Sequence, residues 1–242
     1  MSKIYEALKK AEQDRERTRV RPPLARPAVS VDGGDHASAI QEEYQKLRAS
    51  LVSIAVPSGL HTILVTAPRH GEGATTVSVG LACALARERE TRVLLVEGNL
   101  RTPGFGGTLP LATAAGLADF AAGRVAPEAL VTRLEDLNVS VIAAGSVPGQ
   151  PMNLEIIDTL LARLHAQYDF IVIDGPPVNS YADASILSTK VDGVILVVEA
   201  DRTPVVEAES AKRQLEKVGA RILGVVLNRR RSYIPAFLES IL

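Results

Sequence analysis

The residues whose types and spacing most clearly indicate chemistry lie between Thr62 and Thr76, in the sequence TILVTAPRHGEGATT. An apolar, β-branched run is followed by a glycine-containing loop and then by an alanine-rich segment. This order is typical of a strand, a phosphate-binding loop and a helix. Gly71 and Gly73 allow backbone N–H groups to turn inward, and the positive end of the next helix favours an anion. The stretch therefore predicts a phosphate site.

The loop departs from the common phosphate-binding loop at one position. That loop ends in Gly-Lys-Ser/Thr, whereas this one ends in Gly73-Ala74-Thr75. The lysine that would reach the β- and γ-phosphates is therefore missing, while Thr75 keeps a hydroxyl that would hold Mg²⁺. The candidate nucleotide-binding residues in this loop are Arg69, His70, Gly71, Glu72, Gly73, Ala74, Thr75 and Thr76.

Length and composition restrict the class of protein. The chain has 242 residues, is 46% hydrophobic and carries a net charge of −1. These values suit one α/β domain with an appendage, and the charge gives no general attraction to nucleic acid or membrane. The single cysteine, Cys83, cannot form an internal disulfide and is expected to be a small buried residue in a reducing cytosol. No apolar run reaches the ~18 residues of a membrane span.

The sequence before the loop divides into two short regions and the start of the main domain. Residues 1–19 predict a charged helix with a narrow apolar stripe that includes Ile4 and Leu8. Such a helix is marginal alone, so it is either a solvated tail or a segment that docks on a partner. Residues 20–37 contain several prolines and glycines and predict a linker. Residues 38–242 form the predicted α/β domain.

Apolar runs alternate with helical patterns throughout the predicted domain, which indicates a parallel sheet flanked by helices. Ligands bind at the carboxyl ends of the strands in such sheets, where the unusual loops of this chain lie. Helices are predicted over Ile40–Ile54, Thr75–Arg89, Leu117–Ala122, Leu154–Ala166, Ala182–Thr189 and Val205–Val218. The strands predicted to lie inside the sheet are Ile63–Thr66, Val93–Glu97, Phe170–Asp174, Val194–Val198 and Ile222–Leu227.

With these motifs in this order, the chain resembles the cytoplasmic domain of bacterial tyrosine kinases (BY-kinases), a capsule and exopolysaccharide family related to ParA/MinD-type ATPases. The resemblance implies a P-loop NTPase-like fold from about Ala39 to Arg230. The N-terminal sequence MSKIYEALKKAE is also similar to N-termini found in exopolysaccharide or exosortase loci. Besides the loop, the segments that carry the resemblance are Glu42–Arg48, Val93–Pro103, Tyr168–Pro177, Val191–Val194 and Gly224–Arg229.

The resemblance also implies roles for individual residues. Asp174 corresponds to the Walker B carboxylate, and Glu97 corresponds to the first carboxylate of the family's second acidic motif. Both are implied catalytic residues, and together with Thr75 they are the implied Mg²⁺ ligands. Asn228 occupies the place of an adenine contact. Arg69 occupies the place of the lysine that reaches a nucleotide across a dimer in ParA/MinD-type proteins; the alternative is a solvated loop charge.

Several departures from the family pattern concern charge. Ala74 replaces the loop lysine, and loss of a comparable preorganised donor typically costs about 10²–10³ in rate. Glu97 replaces an aspartate and is one methylene longer, while Asn99 replaces a second aspartate and is uncharged. The tyrosine-rich C-terminal tail of the family is missing, and Tyr233 is the only tyrosine near the end of the chain. In the oligomerisation helix Glu42–Arg48, a glutamine replaces the first arginine.

The resemblance, with these departures, implies a BY-kinase-like protein of polysaccharide synthesis or export with weakened or absent kinase activity. Two classes remain open beside it: an active tyrosine autokinase that retains ATP through other contacts, and a ParA/MinD-type positioning switch, which Arg69 would favour. The implied cofactors are ATP and Mg²⁺. The implied partners are further copies of the chain and a membrane-embedded polysaccharide co-polymerase or transmembrane activator, bound by the N-terminal helix. The implied location is cytoplasmic, peripheral to the inner membrane.

Overall fold

The core of the protein is a seven-stranded sheet, seen in a computed structural model that describes residues 35–111, 115–126, 129–145 and 154–230. The spatial order of the strands is β3-β4-β2-β5-β1-β6-β7, and all neighbouring strands are parallel except the antiparallel pair β3 and β4. The strands are β1 (Thr62–Thr66), β2 (Val93–Glu97), β3 (Thr132–Leu134), β4 (Val139–Ile142), β5 (Phe170–Asp174), β6 (Gly193–Glu199) and β7 (Ile222–Asn228).

Helices cover both faces of the sheet. Leu51 of α1 and Val77 of α2 lie in one buried cluster, whereas Ile157 of α4, Leu187 of α5 and Ala211 of α6 lie in the other. The strands between these layers are apolar on both faces, as expected for a parallel sheet buried on both sides. The helices are α1 (Asp35–Ser58), α2 (Ala74–Leu85), α3 (Leu117–Ala121), α4 (Leu154–Leu164), α5 (Ala182–Ser188) and α6 (Val205–Lys217).

A close contact between α1 and α2 places the helix that follows the phosphate loop. The ring of Tyr44 lies over Gly80, where any Cβ would collide with it, and the Tyr44 hydroxyl donates a hydrogen bond of 3.2 Å to the Thr76 carbonyl. Burial raises the pKa of this hydroxyl. Cys83, also on α2, is half-buried, and burial raises the pKa of its thiol to about 11. The thiol is therefore protonated and unreactive at neutral pH.

The structure confirms the predicted α/β sheet but corrects its edges. The last strand was expected inside the sheet, whereas β7 pairs only with β6 among the described strands, and its Val225 and Leu227 are exposed. The antiparallel strand β3 at the opposite edge was not predicted, because three half-exposed residues carry little hydrophobic signal. Helix α1 begins at Asp35, several residues before the predicted start at Ile40.

Two regions with sequence-based predictions lie outside the described residues. These are the N-terminal segment, with its predicted helix and most of the linker, and the C-terminal segment that contains Tyr233. None of the helices that the structure describes combines the length and apolar character needed to cross a membrane.

Candidate functional site

The loop between β1 and α2 has the backbone shape of a phosphate cradle. Gly71 and Gly73 adopt positive φ angles of 83° and 96°, which side chains of L-residues rarely tolerate. Gly73 immediately precedes α2, so the N-terminal amides of that helix open onto the loop. A Cβ at Gly73 would collide with the side chain of Asn228. The backbone conformation therefore favours glycine at both positions, and the approach of β7 adds a second reason at Gly73.

The predicted Walker B carboxylate lies beside the loop. Asp174 at the end of β5 is fully buried and accepts hydrogen bonds from the Thr75 hydroxyl (2.7 Å) and the Ser78 hydroxyl (3.1 Å). Burial raises the pKa of Asp174 to about 7, and the nearby charge of Glu97 adds to this shift, while the two hydroxyl donors oppose it. The structure thus brings Thr75 and Asp174 together, as the resemblance implied, and adds Ser78 to the pair.

Glu97 is directed at the backbone. One carboxylate oxygen accepts hydrogen bonds from the amides of Gly104 and Phe105, both at 2.6 Å, and the other accepts from the amide of Ala144 at 2.9 Å. The side chain is only 2% exposed. A carboxylate offers about four lone-pair positions, so three are already used within the fold. Glu97 therefore ties the glycine-rich loop after β2 to the chain that follows β4.

The other residue of the second acidic motif is also engaged locally. Asn99 accepts a hydrogen bond from the Thr102 amide (3.2 Å) and donates one to the Thr102 hydroxyl (3.0 Å), which is a side-chain turn of the kind that asparagine favours. Among the described residues, no group of three or more His, Cys, Asp or Glu side chains is placed to hold a metal ion. Of the Mg²⁺ ligands that the resemblance implied, Thr75 and Asp174 lie together, whereas Glu97 is engaged by backbone amides. The implied three-ligand site stays a prediction.

Arg69 is paired within its own chain. Its Nε lies 3.0 Å from Glu207 at the start of α6 and 3.3 Å from Glu72 of the loop, and its Nη2 donates to the Arg202 carbonyl at 3.1 Å. The side chain is 37% exposed. This geometry differs from a solvated loop charge, and it also differs from an arginine free to reach another subunit. Arg69 connects the phosphate loop to the segment between β6 and α6.

The Glu72 side chain points into the protein and away from the cradle. It is 2% exposed, and one oxygen accepts a hydrogen bond of 2.6 Å from the Thr203 hydroxyl. The other oxygen is buried without a hydrogen-bond partner among the described residues. Only the backbone of Glu72 can therefore face an anion. His70 is exposed and meets the ring of Tyr181 edge-on, with 5.7 Å between ring centroids, while Thr76 is exposed on α2.

The end of β7 closes over the loop. Asn228 donates a hydrogen bond of 2.8 Å to the Glu72 carbonyl, and its side-chain oxygen accepts from the Arg229 amide. Arg229, which the sequence analysis did not single out, donates to the Gly71 carbonyl at 2.9 Å and pairs with Glu199 at 3.1 Å. The sequence signal for it was its place at the end of Gly224–Arg229, one of the segments that carry the resemblance. Asn228 thus lies at the predicted site, but its amide holds the loop.

A second arginine near the loop was missed by the sequence analysis. Arg101 pairs with Asp183 at 2.7 Å, and its guanidinium lies 4.6 Å from the centre of the Tyr181 ring. The same tyrosine contacts His70. Arg101 belongs to the Leu-Arg-x-Pro part of the second acidic motif, so the motif carried a signal for it. Arg101 is thus linked to the loop through Tyr181 and, like Arg69, it is paired with a carboxylate of the same chain.

Comparisons with known proteins agree with this geometry. A family model described as ParA, an NUBPL iron-transfer P-loop NTPase, matches residues 60–238. The chain is 29% identical to the putative tyrosine-protein kinase CapB of Staphylococcus aureus over 197 residues, which cover 79% of this chain and 85% of CapB. It is 30% identical to the tyrosine-protein kinase CpsD of Streptococcus agalactiae over 179 residues, covering 72% of this chain and 78% of that protein.

A solved structure with the same fold is the kinase domain of the Escherichia coli tyrosine kinase ETK. It superposes with a TM-score of 0.73 at 25% identity, and the match covers 90% of this chain and 89% of that domain. The similarity therefore extends well beyond the phosphate loop.

Proposed function

This chain belongs to the ParA-like family of P-loop NTPases, in the group that includes the CapB and CpsD tyrosine-protein kinases, and we propose that it is a regulator of polysaccharide synthesis or export whose kinase activity is weak or absent. The observation that carries the proposal is the engagement of Glu97 by three backbone amides, next to a loop in which Ala74 stands at the lysine position. Two charged groups that would take part in phosphoryl transfer are therefore unavailable: the loop lysine is absent, and the Glu97 carboxylate is bound to backbone amides.

Phosphoryl transfer depends on positioning and charge neutralisation, since the protein supplies little covalent chemistry. A site without the loop lysine lacks a cation at the β- and γ-phosphates. A site whose second acidic motif holds backbone amides keeps only Asp174, of the two implied carboxylates, for the metal. The backbone cradle of Gly71 and Gly73 is nevertheless intact. This combination supports weak binding of ATP with little contribution from Mg²⁺ more strongly than it supports phosphoryl transfer.

An ATP titration of the purified chain tests this proposal. We expect weak binding that changes little when Mg²⁺ is added, because few protein oxygens are available to the metal. The Ala74→Lys variant should bind ATP about 10-fold more tightly, a gain of roughly 1.4 kcal/mol from a charge-assisted contact with phosphate. An Ala74→Gln variant is the matched control for side-chain length without charge. Strong Mg²⁺-dependent binding by the unaltered chain would contradict the proposal.

An active tyrosine autokinase remains the second candidate because Thr75 and Asp174 stay paired beside the loop. In that case ATP and Mg²⁺ would be bound with phosphate oxygens supplying the missing ligands. Mg²⁺-dependent phosphotyrosine on Tyr233 or on a partner would favour this candidate. The ParA/MinD-type positioning switch loses support, since Arg69 is held by Glu72 and Glu207 of its own chain.

We further propose that residues 1–19 dock on the cytoplasmic part of a membrane-embedded polysaccharide co-polymerase, which would keep the chain peripheral to the inner membrane. The support is the apolar stripe that includes Ile4 and Leu8 in an otherwise charged segment. Replacement of either residue by aspartate should abolish co-purification with that partner and leave folding unchanged. Gln13→Asp, on the opposite side of a helical projection, is the control. Undiminished co-purification of the Ile4→Asp chain would refute the docking.

Oligomer formation through α1 is a separate proposal. It rests on the resemblance of Glu42–Arg48 to an oligomerisation helix. Lys46 lies near Glu42 and Glu43 within the same helix, while Arg48 pairs with Glu88. A self-association surface here would have to recruit these charges from pairs that already exist.

A further inference from the structure

The outer strand β7 presents an apolar surface that the described part of the chain leaves uncovered. Val225 and Leu227 are 58% and 61% exposed. They pair in parallel register with Leu196 and Val198 of β6. Residues paired in this way project to the same face of a sheet, and Leu196 and Val198 belong to the buried cluster that includes Ala211 of α6. The exposed pair therefore lies on the α6 face, beyond the edge of the helical layer.

The sequence after β7 has an apolar pattern that could cover this surface. Twelve residues, 231–242, follow the last described residue. Their apolar side chains recur at intervals of three and four, which is the spacing of one helix face. A proline stands near the start of the run, where a helix tolerates it. The apolar positions are Ile234, Phe237, Leu238, Ile241 and Leu242.

We propose that the C-terminal segment, residues 232–242, forms an amphipathic helix that covers the Val225–Leu227 surface of its own chain. Its direction follows from the topology, because β7 ends at Asn228 and a helix after it must return along the strand. The nine residues from Ile234 to Leu242 would span about 13 Å, while Val225 and Leu227 lie only about 7 Å apart. The segment is long enough to cover both.

Two considerations favour the same chain over another occupant. An exposed edge strand with apolar side chains is a template for aggregation, and native proteins commonly cover such an edge with a helix or loop. The short connection through Arg229 and Arg230 gives the segment an effective concentration on the order of millimolar at this surface. Docking would hold Tyr233 at the sheet edge beside the phosphate loop. This assignment goes beyond the proposed regulatory function and does not depend on it.

Disulfide trapping in the full chain tests the proposal. Cys83 is the only cysteine, so a Cys83→Ser background allows Leu227→Cys to be combined in turn with Phe237→Cys, Leu238→Cys or Ile241→Cys. The matched control pairs Leu227→Cys with Ser240→Cys, on the other side of the helical projection. Under mild oxidation at low micromolar protein, at least one of the first three pairs should close within the chain at least about 10-fold faster than the control.

Each other outcome overturns the proposal. Disulfides that form only between chains would identify a second copy as the occupant. Equal rates for the Ser240 pair and the other pairs would mean that no helix face is selected. A failure of every pair to close, although all of them close in denaturant, would mean that the segment does not reach β7. Sedimentation with phosphatidylglycerol vesicles that is lost on Phe237→Glu, in a chain without an internal disulfide, would assign the segment to a lipid surface.

Discussion

Replacing Glu97 by glutamine is the most direct test of the role that its contacts assign to it. Glutamine keeps the length and volume of the side chain but exchanges one accepting oxygen for an NH₂ group, which can only donate. Glu97 accepts from the amides of Gly104, Phe105 and Ala144. In either orientation of the new amide, at least one buried backbone N–H faces a donor and loses its acceptor.

The magnitude follows from these contacts. A buried N–H without an acceptor costs about 1–3 kcal/mol, and each remaining bond loses about 1 kcal/mol when the acceptor is no longer charged. Part of this loss is offset because the neutral side chain avoids the desolvation cost of a buried charge. The Glu97→Gln variant should therefore lose about 2–3 kcal/mol of unfolding free energy. With a urea m-value of about 3 kcal/mol/M, the unfolding midpoint falls by nearly 1 M.

Urea unfolding followed by circular dichroism measures this change, and Glu135→Gln is the control because the Glu135 side chain is 82% exposed. The control should stay within about 0.5 kcal/mol of the parent. The opposite interpretation predicts no such loss. If Glu97 were a free ligand beside Asp174, neutralising it would break no backbone hydrogen bond. It would also remove the charge that adds to the effect of burial on the pKa of Asp174, so the chain would keep or gain stability. An unchanged or higher midpoint would therefore refute the loop-holding role.

Two further predictions concern Asp174 and the contact between Tyr44 and Gly80. Burial raises the pKa of Asp174 to about 7, above the value of about 3.9 in an unfolded chain, so the folded state holds a proton that the unfolded state releases. The free energy of unfolding should therefore fall as pH rises from about 4 to about 7. The Asp174→Asn variant should show a smaller fall. An identical pH profile for both proteins would argue against a raised pKa at Asp174. Gly80→Ala should cost about 1–3 kcal/mol of unfolding free energy because the new methyl group displaces the Tyr44 ring. The cost should be smaller in a Tyr44→Ala background. Strict additivity of the two substitutions in this double-mutant cycle would exclude the contact.

The strands were predictable from the sequence because interior parallel strands are continuous apolar runs, such as Val93–Glu97. The edge position of β7 was not, since Ile222–Asn228 is as apolar as an interior strand. Its exposure depends on which strands lie beside it, and that is a property of chain topology. The antiparallel β3 illustrates the reverse case, a strand that forms through pairing with β4 and has no apolar run of its own.

The candidate site divides along a similar line. The glycine positions and the pairing of Thr75 with Asp174 follow from motif order, because backbone freedom and strand ends are encoded locally. The orientation of Glu97 could not be predicted, since its three amide donors come from two loops that are distant in sequence. The role of Arg229 could not be predicted for the same reason, because its contact with the Gly71 carbonyl joins positions 158 residues apart.

The contacts of the loop suggest why its fold can persist without the lysine. A phosphate loop must keep its amides directed at one point, and here that geometry is supported by other groups of the same chain. Asn228 and Arg229 hold the carbonyls of Glu72 and Gly71, while Thr203 and Arg69 hold the Glu72 carboxylate. None of these contacts involves Ala74 or a metal. Loss of the lysine therefore removes a positive charge from the phosphates but leaves the contacts that hold the loop in place. The loop conformation does not depend on the residue that would act on the phosphates.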